Sequence, residues 1–246
     1  MNPVAIVQAR QTGSTRFGSP KVLAEVYGEP LLWWTVRRLQ QAKALKGIVI
    51  AIPEGPENDA LADLVLANQW NLYRGPEQNV LERYLRAAEE YGADPIIRVT
   101  ADEPMLDPGL VNRVVQMLED PTIDYVASNL ERTFPLGLDV EGFTYEALMS
   151  SVELATEPHH QEHVTDAIRE HPHEFSLVNI SAPDGMEPYA NWRLTVDYPS
   201  DLELFNAIAL PMNRSNFRMS TADILWLIDH RDDLRGLASG ITSVIH

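Results

Sequence analysis

Cysteine is absent from the 246 residues of this chain. Disulfides, thiolate catalysis and cysteine-based zinc sites are therefore excluded. Basic residues are scarce: 19 Lys and Arg stand against 36 Asp and Glu, for a net charge of −17. Such a chain does not hold nucleic acid or an anionic membrane through bulk charge, so neither is expected as a partner. An anionic ligand must instead be met by a local cluster of cations or through a divalent metal. No stretch is apolar for the ~18–20 residues that a membrane helix needs. The N-terminus, MNPVAIVQAR, has no charged leader before a long apolar core, so no signal peptide is expected. With cysteine missing as well, the expected location is the cytoplasm.

Several motifs are missing too. Gly13-x4-Gly18 has the glycine spacing of a P-loop, but Ser19-Pro20-Lys21 follows where Lys and then Ser or Thr are required. Proline also removes a backbone donor there. No GxGxxG is present, so the dinucleotide fingerprint fails. The run His159-His160-Gln161-Glu162-His163 places His159 and His163 one helical turn apart, yet H-E-x-x-H is absent. A zinc site is disfavoured. The expectation is that Glu162 and His163 face a pocket while His159, His171 and His173 lie at the surface.

What is present is a strong opening. Val4 to Val7 is an apolar run that breaks into a loop with Gly, Ser and Thr and with the cations Arg10, Arg16 and Lys21. A buried first strand ending in such a loop is a common phosphate site in α/β proteins. A helix follows from Pro30, then the strand IVIAI, a helix from Asp59 to Asn68, and a strand from Asn71 to Arg74. Asn79 to Tyr91 reads as a helix stopped by Gly92, and Pro95 to Val99 as a further buried strand. This alternation predicts a mostly parallel sheet with helices on both faces. Helices are also predicted over Pro108 to Leu118, Tyr145 to Leu154, His160 to Glu170, Asp201 to Ala209 and Thr221 to His230. Strands are predicted at Asp124 to Ala127, Phe175 to Ile180 and Trp192 to Val196. The stretch 129–143 carries two turn signals and a short β-like run, which predicts an excursion that could form a flap or a dimer arm. No linker divides 1–246 into separate domains.

Asp102 in T-A-D-E-P and Asp197 in T-V-D-Y-P each stand just past an apolar strand-like run. Two such carboxylates could share a Mg²⁺ ion against a polyphosphate. Equally, each could cap the turn or helix that follows. Arg98 and Arg193 are cations in otherwise apolar runs, and each calls for a carboxylate partner, the protein's own Glu141 or a substrate acid.

Read together, these segments resemble the SpsF-type (spore coat polysaccharide biosynthesis) family, related to CMP-KDO synthetases and acylneuraminate cytidylyltransferases. The likeness rests on Gln8-Ala9-Arg10, Gly13-Ser14-Thr15-Arg16, Lys21-Val22-Leu23, Arg74-Gly75 and Val80-Leu81-x-Arg83-Tyr84. It continues through Arg98-x-Thr100-x-Asp102-x-Pro104, Phe134-Pro135-x-Gly137-x-Asp139-Val140-Glu141, Glu162-His163-Val164-Thr165 and Arg193-x-Thr195-Val196-Asp197-x-Pro199-x-Asp201. It departs in the opening loop, which holds one extra residue before Gly13 and another before Lys21, and at Ala101, where relatives usually carry Gly.

The resemblance implies a GT-A-like nucleotidyltransferase fold and transfer of CMP from CTP, with Mg²⁺, to an acidic sugar acceptor. It implies nucleotide contacts at Gln8, Ala9, Arg10, Gly13, Ser14, Arg16, Lys21, Arg83 and Asp102. Arg10, Lys21 and Asp102 are implied in catalysis, and Asp102 and Asp197 as metal ligands. Glu141, His163 and Arg193 are implied on the acceptor side. A homodimer is implied as well. Glycosyl transfer from a nucleotide sugar and cytidylyl transfer to a phosphonate are the alternatives. The first commonly uses D-x-D, and Asp139-Val140-Glu141 is the nearest approach to it.

Overall fold

The computed structural model describes residues 1–11, 17 and 20–239. The first strand, β1 (Val4–Gln8), is buried from Val4 to Val7 and lies inside the sheet. A small hairpin of β2 (Glu25–Val26) and β3 (Glu29–Pro30) leads into α1 (Leu31–Leu39). Then come β4 (Gly47–Pro53), α2 (Asp59–Ala67), β5 (Asn71–Gly75), α3 (Val80–Tyr91), β6 (Ile96–Thr100) and α4 (Pro108–Met117). After β7 (Tyr125–Ala127) and β8 (Glu141–Phe143) follow α5 (Tyr145–Leu154), α6 (Pro158–Glu162), α7 (Asp166–Arg169) and β9 (Leu177–Asn179). The chain closes with α8 (Pro199–Arg214), α9 (Thr221–Asp229) and α10 (Asp232–Ser239).

Among the described residues the main sheet runs β5-β4-β1-β6-β8-β7-β9. The first four strands are parallel, β8 is antiparallel to both neighbours, and β7 pairs parallel with β9. The fold is therefore the expected α/β architecture with a mostly parallel sheet. Strand alternation splits the core into two layers. Ala5, Val7, Ile50, Ile52, Ile97 and Val99 face one layer, which includes Trp34, Leu61, Val111, Phe205 and Ile224. Val4, Ile6, Val49, Ala51 and Ile96 face the other, packed against Leu81, Tyr84, Leu148 and Ile168. The caps follow local chemistry: Asn79 accepts the amide of Glu82 at 3.0 Å, and Gly92 ends α3. Among the described residues no helix is long and apolar enough to cross a membrane.

Two expectations need correction. The helix expected over His160 to Glu170 is broken into α6 and α7, with His163, Val164 and Thr165 between them. The break turns the buried Thr165 hydroxyl towards Glu141. The stretch 192–196 is not a strand of the sheet. It is a strap whose only ladder contact among the described residues is the bridge between Leu136 and Arg193. It lies across the end of the sheet, with the Val196 amide on the Asp102 carbonyl at 2.9 Å. The stretch 129–143 carries the expected short β run, at β8. Phe134, Leu138 and Val140 are buried, and β8 inserts between β6 and β7.

Candidate active site

The carboxyl ends of β1 and β6 open on the same side, as parallel neighbours must, and ligands of open parallel sheets collect there. The loop after β6 stays in register with β1: the Ala101 amide donates to the Gln8 carbonyl at 3.1 Å. Thr35 of α1, fully buried, donates its hydroxyl to the Ala101 carbonyl at 2.9 Å. Asp102 is thus delivered by a backbone that is pinned from both sides. The strap completes the arrangement, since Thr195 also donates its hydroxyl to the Asp102 carbonyl, at 3.1 Å.

Asp197 follows directly from that strap. Its amide and that of Tyr198 both donate to one carboxylate oxygen of Asp201, at 2.8 and 2.9 Å. Asp201 is in the first turn of α8, where an acidic side chain complements the exposed amides of a helix start. The signal for this residue is present in Asp197-x-Pro199-x-Asp201, although its task, holding the backbone of the other aspartate, is visible only in three dimensions.

Lys21 joins the two aspartates. Its Nζ lies 2.6 Å from Asp102 Oδ2 and 2.8 Å from Asp197 Oδ1. The second oxygen of Asp197 accepts from Arg193 at 2.9 Å, and the Arg193 guanidinium lies over the Tyr198 ring. Burial opposes the Lys21 ammonium, but the charge of Asp102 and the hydrogen bonds to both carboxylates outweigh it and raise its pKa. The remaining oxygen, Asp102 Oδ1, is buried with no hydrogen-bond partner among the described residues. Asp102, Asp197, Lys21 and Arg193 therefore form one cluster drawn from three distant parts of the chain.

Other expected site residues fall around this cluster. Gln8 and Ala9 lie at the end of β1, and Gln8 Oε1 is buried without a partner among the described residues. Arg10 is exposed, and its charge reaches the buried Arg83, whose pKa burial lowers and Arg10 lowers further. Arg83 also donates to the carbonyl of Pro76, so it braces the loop after β5. The start of the opening loop is held by Asn58, whose Oδ1 accepts the Gln11 amide at 3.0 Å. Nothing in the sequence singles out Thr35 or Asn58 for these supporting tasks. Gly13, Ser14 and Arg16 lie outside the described residues.

Glu141 needs correction. It is 2% exposed and fully engaged within the protein. One oxygen accepts from Tyr125 and Thr165, the other from Arg98, its cross-strand partner. The buried Arg98 thus has its carboxylate in Glu141, one of the two partners expected for it, and Glu141 is closed off from an acceptor by its burial. Burial pushes the Glu141 pKa up, yet Arg98 and the hydroxyl donors outweigh it and hold it below the ordinary value. Its contribution to stability is then present above the ordinary glutamate range and lost as pH falls through the depressed pKa. Glu141→Gln is expected to cost roughly 2–3 kcal/mol by leaving Arg98 buried without its counter-charge. Denaturant unfolding at pH 7 measures this, and the gap from wild type should narrow in acid.

His163 is exposed between α6 and α7, and its ring makes no hydrogen bond to another described residue. Glu162 is exposed as well, whereas His160 is buried. His159 and His160 both reach Glu170, at 3.0 and 2.9 Å, and these three side chains could geometrically surround a metal. The chemistry points the other way. His160 Nδ1 accepts the Glu157 amide at 3.2 Å, which leaves the ring proton on Nε2, the nitrogen facing Glu170. A metal-bound histidine shows the reverse pattern, with its far nitrogen donating.

Glu103, beside Asp102, is 5% exposed. Burial, then the nearby charges of Asp139 and Asp102, push its pKa well above the ordinary value.

Comparisons with known proteins establish the family of the chain. A family model described as cytidylyltransferase matches residues 4–221. The spore coat polysaccharide biosynthesis protein SpsF of Bacillus subtilis is 30% identical over 213 residues, covering 85% of this chain and 87% of its own. The structure of a cytidylyltransferase from Leptospira borgpetersenii superposes with a TM-score of 0.85 at 25% identity, over 95% of this chain and 97% of that one. A CMP:2-keto-3-deoxy-manno-octonic acid synthetase complexed with CTP shares the fold, with a TM-score of 0.63 at 17% identity over 86% of this chain and 99% of that one. The match spans both aspartates, Lys21 and the strap, so this chain belongs to the cytidylyltransferase family.

Proposed function

We propose that this protein transfers CMP from CTP to an acidic sugar of the 2-keto-3-deoxy or sialic type, releasing pyrophosphate, in the synthesis of a surface polysaccharide. The observation that carries this reading is the meeting of Asp102 and Asp197 at one point beyond the sheet. Two hard oxygen donors from separate segments, one with a buried and unpartnered oxygen, suit a small divalent cation that takes a few carboxylates and completes its shell with phosphate. Asp102 and Asp197 would hold Mg²⁺. Bound there, Mg²⁺ would supply charge neutralisation at the α-phosphate and would lower the pKa of the attacking hydroxyl.

The protein's own groups do the rest by placement. In the reaction an acceptor oxygen bonds to the α-phosphorus as the bond from that phosphorus to the bridging oxygen breaks. The departing pyrophosphate gathers negative charge. Arg10 and Lys21 lie at the two ends of the opening loop and stabilise that charge. Gln8 and Ala9, at the end of β1, lie beside the base, with Arg83 behind the nucleotide. Arg193, which touches Asp197 and the Tyr198 ring, faces the acceptor acid. With an overall charge of −17, the attraction for two anionic substrates has to come from such local cations and not from the protein as a whole.

The test is a pyrophosphate-release assay crossing the four nucleoside triphosphates with acidic sugars and phosphonates. Release is expected with CTP and an acidic sugar. Release with UTP or ATP but not CTP would overturn the base assignment, and release only with a phosphonate would overturn the acceptor.

A further inference from the structure

We propose that Lys21 is a resident cation of the Asp102–Asp197 pair, which keeps a divalent ion out until the nucleotide draws the ammonium away. This rests on the reading that the two aspartates are the metal ligands. The ammonium occupies the point on which both carboxylates converge, at 2.6 and 2.8 Å. Of the four carboxylate oxygens, two bond Lys21 and one bonds Arg193. Two carboxylates thus face one ammonium and one guanidinium, and the cluster is electrically balanced as it stands. A divalent ion entering beside a retained ammonium would meet like charge at contact distance in a half-buried site. It binds well only if Lys21 leaves.

Leaving requires a new anionic partner, because Lys21 is largely buried and its side chain is only 15% exposed. A triphosphate is such a partner. It offers several negative oxygens to the ammonium and brings enough charge to hold the lysine and the metal together. Lys21 lies in a short turn, Lys21–Leu23, at the end of the opening loop, so a change of its side-chain direction need not disturb the sheet. Arg193, on the other oxygen of Asp197, is not displaced by this exchange. Metal and nucleotide are thereby coupled: each binds better once the other is present, and the coupling is reciprocal. The consequence for catalysis is order. The metal is taken up with the triphosphate and not before it, and Lys21 reaches the phosphates at the moment it vacates the carboxylates.

The experiment is a Mn²⁺ titration without nucleotide, followed by the loss of the free-ion paramagnetic resonance signal. Wild type, Lys21→Met, Lys21→Gln and the double variant Lys21→Met with Asp102→Asn are compared. The uncharged Lys21 variants should bind one Mn²⁺ per chain about tenfold or more tightly than wild type. The double variant should lose that gain. Equal or weaker binding by a folded Lys21 variant overturns the proposal, as does a gain that survives Asp102→Asn. Wild type supplies its own test should the variants not fold: tight uptake of one Mn²⁺ with no nucleotide also overturns it. Because these titrations contain no CTP, their failure leaves cytidylyl transfer standing, and a failed pyrophosphate assay leaves them interpretable.

Discussion

Asp102→Asn is expected to lower CTP-dependent pyrophosphate release about 10²–10³-fold, the usual cost of removing one preorganised group that balances charge in a transition state. The reason is local. Asp102 contributes the buried, unpartnered oxygen of the cluster and one of the two contacts of Lys21. Asparagine keeps the volume and one carbonyl oxygen, but it brings an amide donor towards an ammonium and removes the charge that would bind a cation. The backbone carbonyl of Asp102, which anchors Thr195 and Val196, is untouched, so the fold should survive. Thermal unfolding separates the two effects. Turnover within about threefold of wild type, in a variant with an unchanged unfolding midpoint, would remove Asp102 from the mechanism.

The second large effect is expected at Gly137, far from any ligand in sequence. Its φ of +98° is a conformation that side chains rarely adopt. A Cβ there would lie 2.3 Å from the Thr195 amide nitrogen, 2.6 Å from the Leu194 carbonyl carbon and 2.9 Å from the Thr195 Cα. All three are backbone atoms, which cannot rotate aside as a side-chain tip can. Gly137→Ala must therefore push the strap away from the sheet end. A stability loss of roughly 4 kcal/mol is expected, from strain and overpacking together. For a chain of this size that is a fall in melting temperature of about 10 °C. The same shift pulls Thr195 and Val196 off the Asp102 carbonyl and displaces Asp197, so activity should fall more steeply than the folded fraction. Gly185→Ala is the control. Gly185 has φ +90°, and a Cβ added there would meet nothing within 4 Å, so the variant carries the backbone strain without the collision. Similar losses in the two variants would show that close approach of the strap is not what Gly137 provides.

The two substitutions mark the boundary between what can be read in one dimension and what cannot. The strand at Val4 to Val7, the strand IVIAI and the run before Thr100 are legible because each is a short apolar segment bounded by turn residues. The position of Asp102 just past β6 follows from the same pattern. The need of Arg98 for a carboxylate is legible as well, since a guanidinium in an apolar strand must be balanced.

The neighbours of these groups are not legible. Trp192 to Val196 has the composition of a strand, but composition does not say whether a sheet edge is free to receive it. This segment instead spans the sheet end as a strap, paired at Leu136. For Glu141 the sequence leaves two roles open, partner of Arg98 or acceptor-side residue. Arg98, Tyr125 and Thr165 reach it only through the pairing of β6, β7 and β8 and the break between α6 and α7.

By itself the sequence determined the layered α/β architecture, the absence of thiol chemistry and the residues able to carry charge. Strand alternation and side-chain type are local properties, and they do not depend on where the chain ends up. Tertiary structure alone decided which charges meet. Lys21, Asp102 and Asp197 come from an opening loop, a strand end and a strap, and their convergence depends on sheet order and on how closely Gly137 lets the strap approach. That is a long-range property: many carboxylates were available to Lys21, and packing chose these two.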